Sequence, residues 1–70
     1  MDRIPVESSN VSSIGYDAAS NTLEVAFHNG SVYQYADVPA SVYHAFMEAP
    51  SKGRFVHQHL TNQFRYAKIR

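Results

Sequence analysis

Apolar and polar side chains alternate on both sides of an Asn29-Gly30 pair in residues 22–35, TLEVAFHNGSVYQY. Alternation with a period of two is typical of half-buried strands. An Asn-Gly pair between two such runs is the strongest short-range signal for a β-hairpin. These residues therefore predict two antiparallel strands, which the rest of the chain covers or extends.

The length of the connecting loop decides which face carries the two tyrosines of the second strand. A two-residue loop pairs Phe27 with Val32, and both tyrosines then lie on the other face of the sheet from the apolar side chains of the first strand. A three-residue loop with Gly30 in the left-handed region adds a bulge and shifts the register by one residue. The pairs then become Val25 with Tyr33 and Leu23 with Tyr35.

We favour the bulged register, because burial of one face is what fixes the register of a strand. It gathers five large apolar side chains on that face: Leu23, Val25, Phe27, Tyr33 and Tyr35. It leaves the solvent face to Glu24, Val32 and Gln34. In this register the tyrosines belong to the core. In the other register they are exposed and can stack on nucleic-acid bases.

The flanking segments complete a small α+β domain. Residues 1–10 lack periodicity and predict a loop or frayed lead-in, whereas residues 11–17 alternate weakly and predict a first strand. A turn then joins this strand to the hairpin, which gives a three-stranded antiparallel β-meander over residues 11–36. We expect two short helices in residues 39–63, packed on one face of the sheet. Residues 64–70 form either a short C-terminal edge strand or a charged basic tail.

Residues 39–63 have a helical period. Pro39 is tolerated in a first helical turn, and an apolar stripe with i,i+4 pairs follows, made by Val42, Tyr43, Phe46 and Met47. Pro50 ends this helix, and Ser51 is a candidate N-cap for the second. The second helix has its own apolar face, formed by Phe55, Val56 and Leu60, and Thr61-Asn62-Gln63 breaks this pattern before Phe64.

Length and composition are those of one small domain spanning residues 1–70. The chain has no cysteine, so no disulfide supports the fold, and five Tyr and four Phe supply core volume instead. No apolar run is long enough to span a membrane, and the first ten residues lack the apolar region of a signal peptide. We therefore expect a cytoplasmic protein, and a monomer rather than a homodimer.

Charge is divided along the chain although the formal net charge is zero. All six acidic residues lie in residues 1–48 with Arg3, and residues 49–70 hold five basic residues and no acid, so the two parts carry −5 and +5. Such asymmetry can mark a surface for nucleic acid or another acidic partner. The alternative is that the two parts pack together and neutralise each other.

The order of several short motifs resembles the KTSC domain, a module named for the C-terminus of some lysyl-tRNA synthetases and also found as a free-standing bacterial protein. The resemblance covers residues 8–66 and includes Tyr33-Gln34-Tyr35, Val38-Pro39, Val42-Tyr43 and Ser51-Lys52-Gly53-Arg54-Phe55. The chain departs from the usual pattern at residues 55–57, where Phe-Val-His replaces Tyr-Phe-Asn, and at Arg65-Tyr66, where Pro-Tyr is common. The resemblance implies a module of unknown biochemical function, and its synthetase context suggests RNA binding.

No motif for catalysis or metal binding stands out. His57 and His59 would point about 200° apart on a helix, whereas a metal-binding pair needs a spacing of three or four residues. The chain lacks a nucleophilic cysteine and a GxSxG elbow. We therefore expect no enzyme activity, no metal and no cofactor.

The sharpest candidate site is Ser51-Lys52-Gly53-Arg54. If Ser51 caps the second helix, the two cations oppose its macrodipole and Gly53 lowers its helix propensity. Both costs are explained if the free amides and the cations bind an anion such as a phosphate. The alternative is that Gly53 allows close packing and the cations reach solvent.

Two functions from different classes follow. The first is binding of RNA or another nucleic acid through Ser51, Lys52, Gly53, Arg54, Arg65, Lys68 and Arg70, with stacking by Tyr33 and Tyr35 if they are exposed. The second is a protein-interaction module that docks a protein partner through an edge strand or through its oppositely charged halves.

Overall fold

Five antiparallel strands form one sheet in sequence order: β1 (Ile4–Pro5), β2 (Val11–Asp17), β3 (Thr22–Phe27), β4 (Val32–Tyr35) and β5 (Tyr66–Lys68). Between β4 and β5 lie helix α1 (Ala40–Glu48), helix α2 (Lys52–Phe55) and a π-helical segment (Val56–Leu60) that continues α2. The computed structural model describes residues 1–70. It confirms the α+β class, the meander and the two helices, and of the two alternatives for residues 64–70 it has the edge strand. The short strand β1 lies in residues that were predicted as a loop.

The hairpin has the bulged register. Leu23 pairs with Tyr35 and Val25 pairs with Tyr33. The Phe27 amide donates a hydrogen bond to the carbonyl oxygen of Ser31 at 2.8 Å, which closes a three-residue loop. Gly30 has a φ of 94°, a conformation that favours glycine at this position. The prediction from the alternating pattern is therefore confirmed.

The helices pack on the face of the sheet that carries Leu23 and Val25, and both of these side chains are fully buried. Phe46, at the centre of the predicted stripe, is the only fully buried side chain of α1 and stacks on Phe55 at 5.0 Å. The helix begins one residue later than Pro39, which has extended backbone and occupies the N-cap position. Burial of this apolar stripe holds α1 on the sheet.

The opposite face of the sheet is less open to solvent than the sequence predicts. Val32 was expected on a solvent face but is only 4% exposed, and Glu24 is 7% exposed. The backbone of Val32 accepts a hydrogen bond from the amide of Ile69, so β4 is an interior strand. Glu24 is covered by the N-terminal segment, because Arg3 Nη1 donates to its Oε2 at 2.7 Å. Gln34 Nε2 donates to the other oxygen of this carboxylate at 2.8 Å.

Candidate functional site

Three aromatic rings lie in contact at the β5 side of the helix-covered face. Tyr33 meets Phe27 edge to face at 5.7 Å, and the ring of Tyr66 lies 5.8 Å from that of Tyr33. Tyr66 is 45% exposed, and the other two rings are partly exposed. We call Phe27, Tyr33 and Tyr66 the aromatic surface. It is the part of this face that the helices leave uncovered.

Strand pairing places a cation beside these rings. Tyr33 lies directly opposite Lys68, and Tyr35 lies opposite Tyr66. Residues directly opposite on antiparallel strands project to the same face, so the Lys68 side chain extends from the face that carries Tyr33. Arg65 and Arg70 flank the strand, and both are exposed. We call residues 65–70 the β5 basic segment.

Arg65 is the one basic residue of this segment with an acidic partner. Its Nη2 atom lies 3.7 Å from Oδ2 of Asp37, and both side chains are more than 80% exposed. A pair so exposed is worth little, because solvent screens it. At this edge the two oppositely charged parts of the chain are therefore joined only by one exposed, weak ion pair.

Of the two predicted stacking residues, Tyr35 is a core residue. It is 1% exposed, and its hydroxyl lies 3.2 Å from Oγ1 of Thr61. Burial raises the pKa of Tyr35 above its usual value. Tyr35 is therefore not available for stacking. Tyr66, which no sequence motif indicated, provides a second accessible tyrosine ring beside the partly exposed Tyr33.

The Ser51–Arg54 segment makes mostly internal contacts. Ser51 is the predicted N-cap, since its Oγ accepts a hydrogen bond from the Arg54 amide at 3.3 Å. Lys52 Nζ donates to the carbonyl oxygen of Ala49 at 2.6 Å. A Cβ atom on Gly53 would lie 2.7 Å from Nδ2 of Asn10, so Gly53 lies close against this side chain. Only the Arg54 side chain is free, and the anion site at this helix end stays a prediction.

A cleft of about 560 Å³ opens between the hairpin turn and the start of the π-helical segment. Its polar lining consists of Ser9, Asn10, His28, Asn29 and His57. Phe27 and Val56 supply its apolar lining, and Gly53 completes it. Phe27, Asn29 and Val56 also line a second hollow of about 280 Å³, which contains Tyr33 and Tyr66. The cleft and the aromatic surface are therefore neighbours.

The histidines do not form a metal centre, since no group of three His, Cys, Asp or Glu side chains could hold an ion. His28 Nε2 lies 3.0 Å from the carbonyl oxygen of Ser8, and the ring of His59 lies 4.8 Å from that of Phe55. Neither the length nor the hydropathy of any helix reaches what a membrane-spanning segment requires.

The fold and the motif order define a small α+β module with no metal-binding cluster. The family model for the KTSC domain matches residues 7–64. The chain therefore belongs to the KTSC domain family, as the resemblance of its motifs implies.

Relatives of this chain are both free-standing proteins and parts of larger ones. An uncharacterised protein from Stutzerimonas stutzeri is 41% identical over 70 residues, which are 99% of each chain. The crystal structure of a KTSC domain protein from Yersinia pestis superposes with a TM-score of 0.90 at 43% identity, covering 99% of this chain and 97% of that one. A lysine–tRNA ligase from a Nostoc species is 35% identical over 63 residues, which are 90% of this chain and 11% of the ligase.

Proposed function

We propose that the protein is a non-catalytic module that binds single-stranded RNA through the aromatic surface and the β5 basic segment. Two observations together carry the proposal. Three partly exposed rings lie in contact with one another, and Lys68 lies directly opposite one of them on the neighbouring strand. Bases stack on exposed aromatic rings, and each such contact is worth roughly 1–3 kcal/mol. The basic side chains supply the phosphate contacts that position a strand.

A single-stranded ligand suits this surface better than a duplex. Stacking requires bases that are not already paired and stacked, and RNA recognition by small modules mostly targets such unstacked bases. The ligand class agrees with one context in which the domain occurs, because a similar segment forms part of a ligase named for lysine and tRNA. The chain covers only 11% of that ligase, so the ligase reaction is not transferred to it.

The expected affinity is low. Two to four phosphate contacts give a micromolar or weaker dissociation constant at physiological salt, with a log–log salt slope of roughly −1.5 to −3 on single strands. Stacking adds a contribution to the binding free energy that does not depend on salt. We therefore expect measurable binding at low salt and a shallow decline as salt rises.

A salt titration of two matched variants tests which cations make the phosphate contacts. Lys68→Gln and Arg54→Gln each remove one positive charge from an exposed position, on β5 and on α2 respectively. A labelled single-stranded RNA of about eight nucleotides is titrated by fluorescence anisotropy between about 50 and 200 mM salt. Lys68→Gln should flatten the slope by about 0.7, and Arg54→Gln should leave it unchanged. The reverse result would contradict the β5 site and favour the Ser51–Arg54 anion site.

A protein-interaction module is the second candidate, and β5 is the observation that favours it. All three residues of this strand are exposed, and the strand ends one side of the sheet. An open edge strand can pair with an extended segment of a partner. If the parent protein binds neither RNA nor DNA at low salt, this candidate takes precedence.

A further inference from the structure

We infer that the cleft beside the aromatic surface takes one nucleoside of the bound RNA and reads its base. This inference rests on the proposed function, because the nucleoside in the cleft belongs to a strand that lies on the aromatic surface. Phe27 and Asn29 line both the cleft and the hollow that contains Tyr66. A strand stacked on the aromatic surface would therefore have its next nucleoside at the cleft opening. The volume of about 560 Å³ is within the range of small-ligand sites.

The lining of the cleft favours a neutral, polar and flat ligand. It includes no Lys, Arg, Asp or Glu, so it offers neither the cations that hold a phosphate nor the carboxylates that hold a hard metal ion. It has apolar surface from Phe27 and Val56 against which a flat ring can pack. A nucleobase combines a flat apolar face with an edge of hydrogen-bond donors and acceptors.

Several groups of the cleft have hydrogen-bonding capacity left for such an edge. Asn29 Oδ1 accepts from the Ser31 amide at 3.0 Å, which fixes the amide group and leaves Nδ2 as a free donor. Nε2 of the neighbouring His28 forms a hydrogen bond with the carbonyl oxygen of Ser8, and this oxygen can only accept. Neutral His28 therefore carries its proton on Nε2 and presents Nδ1 as an acceptor.

His57 completes this set from the opposite wall. It is exposed and lies in the π-helical segment, in which the Thr61 amide donates to the carbonyl oxygen of Val56 at 2.9 Å. π-Helical turns are rare and occur frequently at functional sites. The cleft thus has a donor and an acceptor on the hairpin turn and an imidazole across from them, which suits readout of a base edge.

The first test uses free nucleosides, which carry no phosphate and so do not depend on the β5 cations. Adenosine, guanosine, cytidine and uridine are added separately at millimolar concentration to the ¹⁵N-labelled protein. We expect at least one of them to shift the amide signals of residues 28–30 and 56–58. Unchanged signals in both segments with all four nucleosides would overturn the inference.

The second test compares base preference between variants. The probes are oligouridines of about eight nucleotides in which one central base is replaced. The parent should prefer one base roughly fivefold or more. His57→Ala and Asn29→Asp should bring this preference to less than about twofold, and Asn29→Asp keeps the oxygen that accepts from Ser31. Tyr66→Ala is the matched control, because it should weaken all the probes equally and preserve the preference.

The two proposals fail in different ways. Binding that Tyr66→Ala weakens, but with no base preference in the parent, would overturn the cleft inference and leave the proposed function in place. If no probe binds the parent even at low salt, the proposed function fails and the inference fails with it.

Discussion

Replacing Phe46 with alanine tests how the helical part is held on the sheet. Phe46 is the only fully buried side chain of the nine-residue α1, and it stacks on Phe55 of α2. A buried Phe→Ala change costs about 3–5 kcal/mol, because apolar contacts are lost and a cavity remains. A chain of this length has a total stability of roughly 3.5–10 kcal/mol. Phe46→Ala should therefore remove a large part of the stability, and in the lower half of that range most of it.

Urea denaturation followed by far-ultraviolet circular dichroism measures this loss. Phe46→Leu keeps most of the volume and should cost about 1–2 kcal/mol, so a complete transition remains measurable if the alanine variant is unfolded. Ile69→Ala is the control, since Ile69 is 51% exposed and its truncation should change stability by less than about 0.5 kcal/mol. A loss below about 1 kcal/mol for Phe46→Ala would refute this account of the core.

Three further substitutions test other parts of the fold. Gly15→Ala should cost about 1–3 kcal/mol in the same denaturation assay, because its Cβ would lie 2.8 Å from a backbone oxygen of the N-terminal segment. Arg3→Gln should cost about 1–2 kcal/mol, since it leaves the nearly buried Glu24 carboxylate without its cation, and an equal stability would contradict that role. Tyr35 has a raised pKa when folded, so its contribution to stability is complete below about pH 10 and declines as the pH rises beyond that value. Denaturation midpoints between about pH 8 and pH 11 should therefore fall less steeply in Tyr35→Phe than in the parent.

The features predicted correctly are those that short-range chemistry determines. Asn29-Gly30 and the one-sided alternation around it determine the hairpin loop and its register. Pro50 marks the end of one helix, because it has no backbone amide to continue the hydrogen bonding. Ser51 caps the next helix, because its side chain accepts a hydrogen bond from the first turn. The motifs that indicated the KTSC family are also short-range patterns, and the family model matches residues 7–64.

The features that the sequence did not predict depend on contacts between distant segments. A two-residue strand such as Ile4–Pro5 is too short to show a period. Val32 is buried because β5 pairs with β4 from more than thirty residues away, and the same pairing brings Tyr66 beside Tyr33. No local pattern near Tyr66 indicates that pairing.

In the candidate site, too, the sequence indicated the residue types, but their arrangement depends on contacts between distant segments. The basic residues of the C-terminal part were identified from composition, but the structure places them on two elements, α2 and the β5 segment. The cleft draws its lining from residues 9–10, from residues 27–29, and from residues 53, 56 and 57, three segments that the fold brings together. Asn29 is explained by its own turn, and Gly53 lies against Asn10, which is distant in the sequence, so nothing in the immediate sequence of either residue indicates a shared cleft.

The central claim is that RNA binds on the aromatic surface, and mapping the contact by NMR tests it most directly. The ¹⁵N-labelled protein is titrated at low salt with single-stranded RNA of about eight nucleotides. The account predicts that the largest amide shifts occur in residues 27–33 and 65–70, and that Tyr66→Ala weakens the binding at least fivefold, as the loss of one stacking contact requires. Binding that shifts only signals of α1 or of residues 1–10, or that Tyr66→Ala leaves unchanged, would contradict the claim.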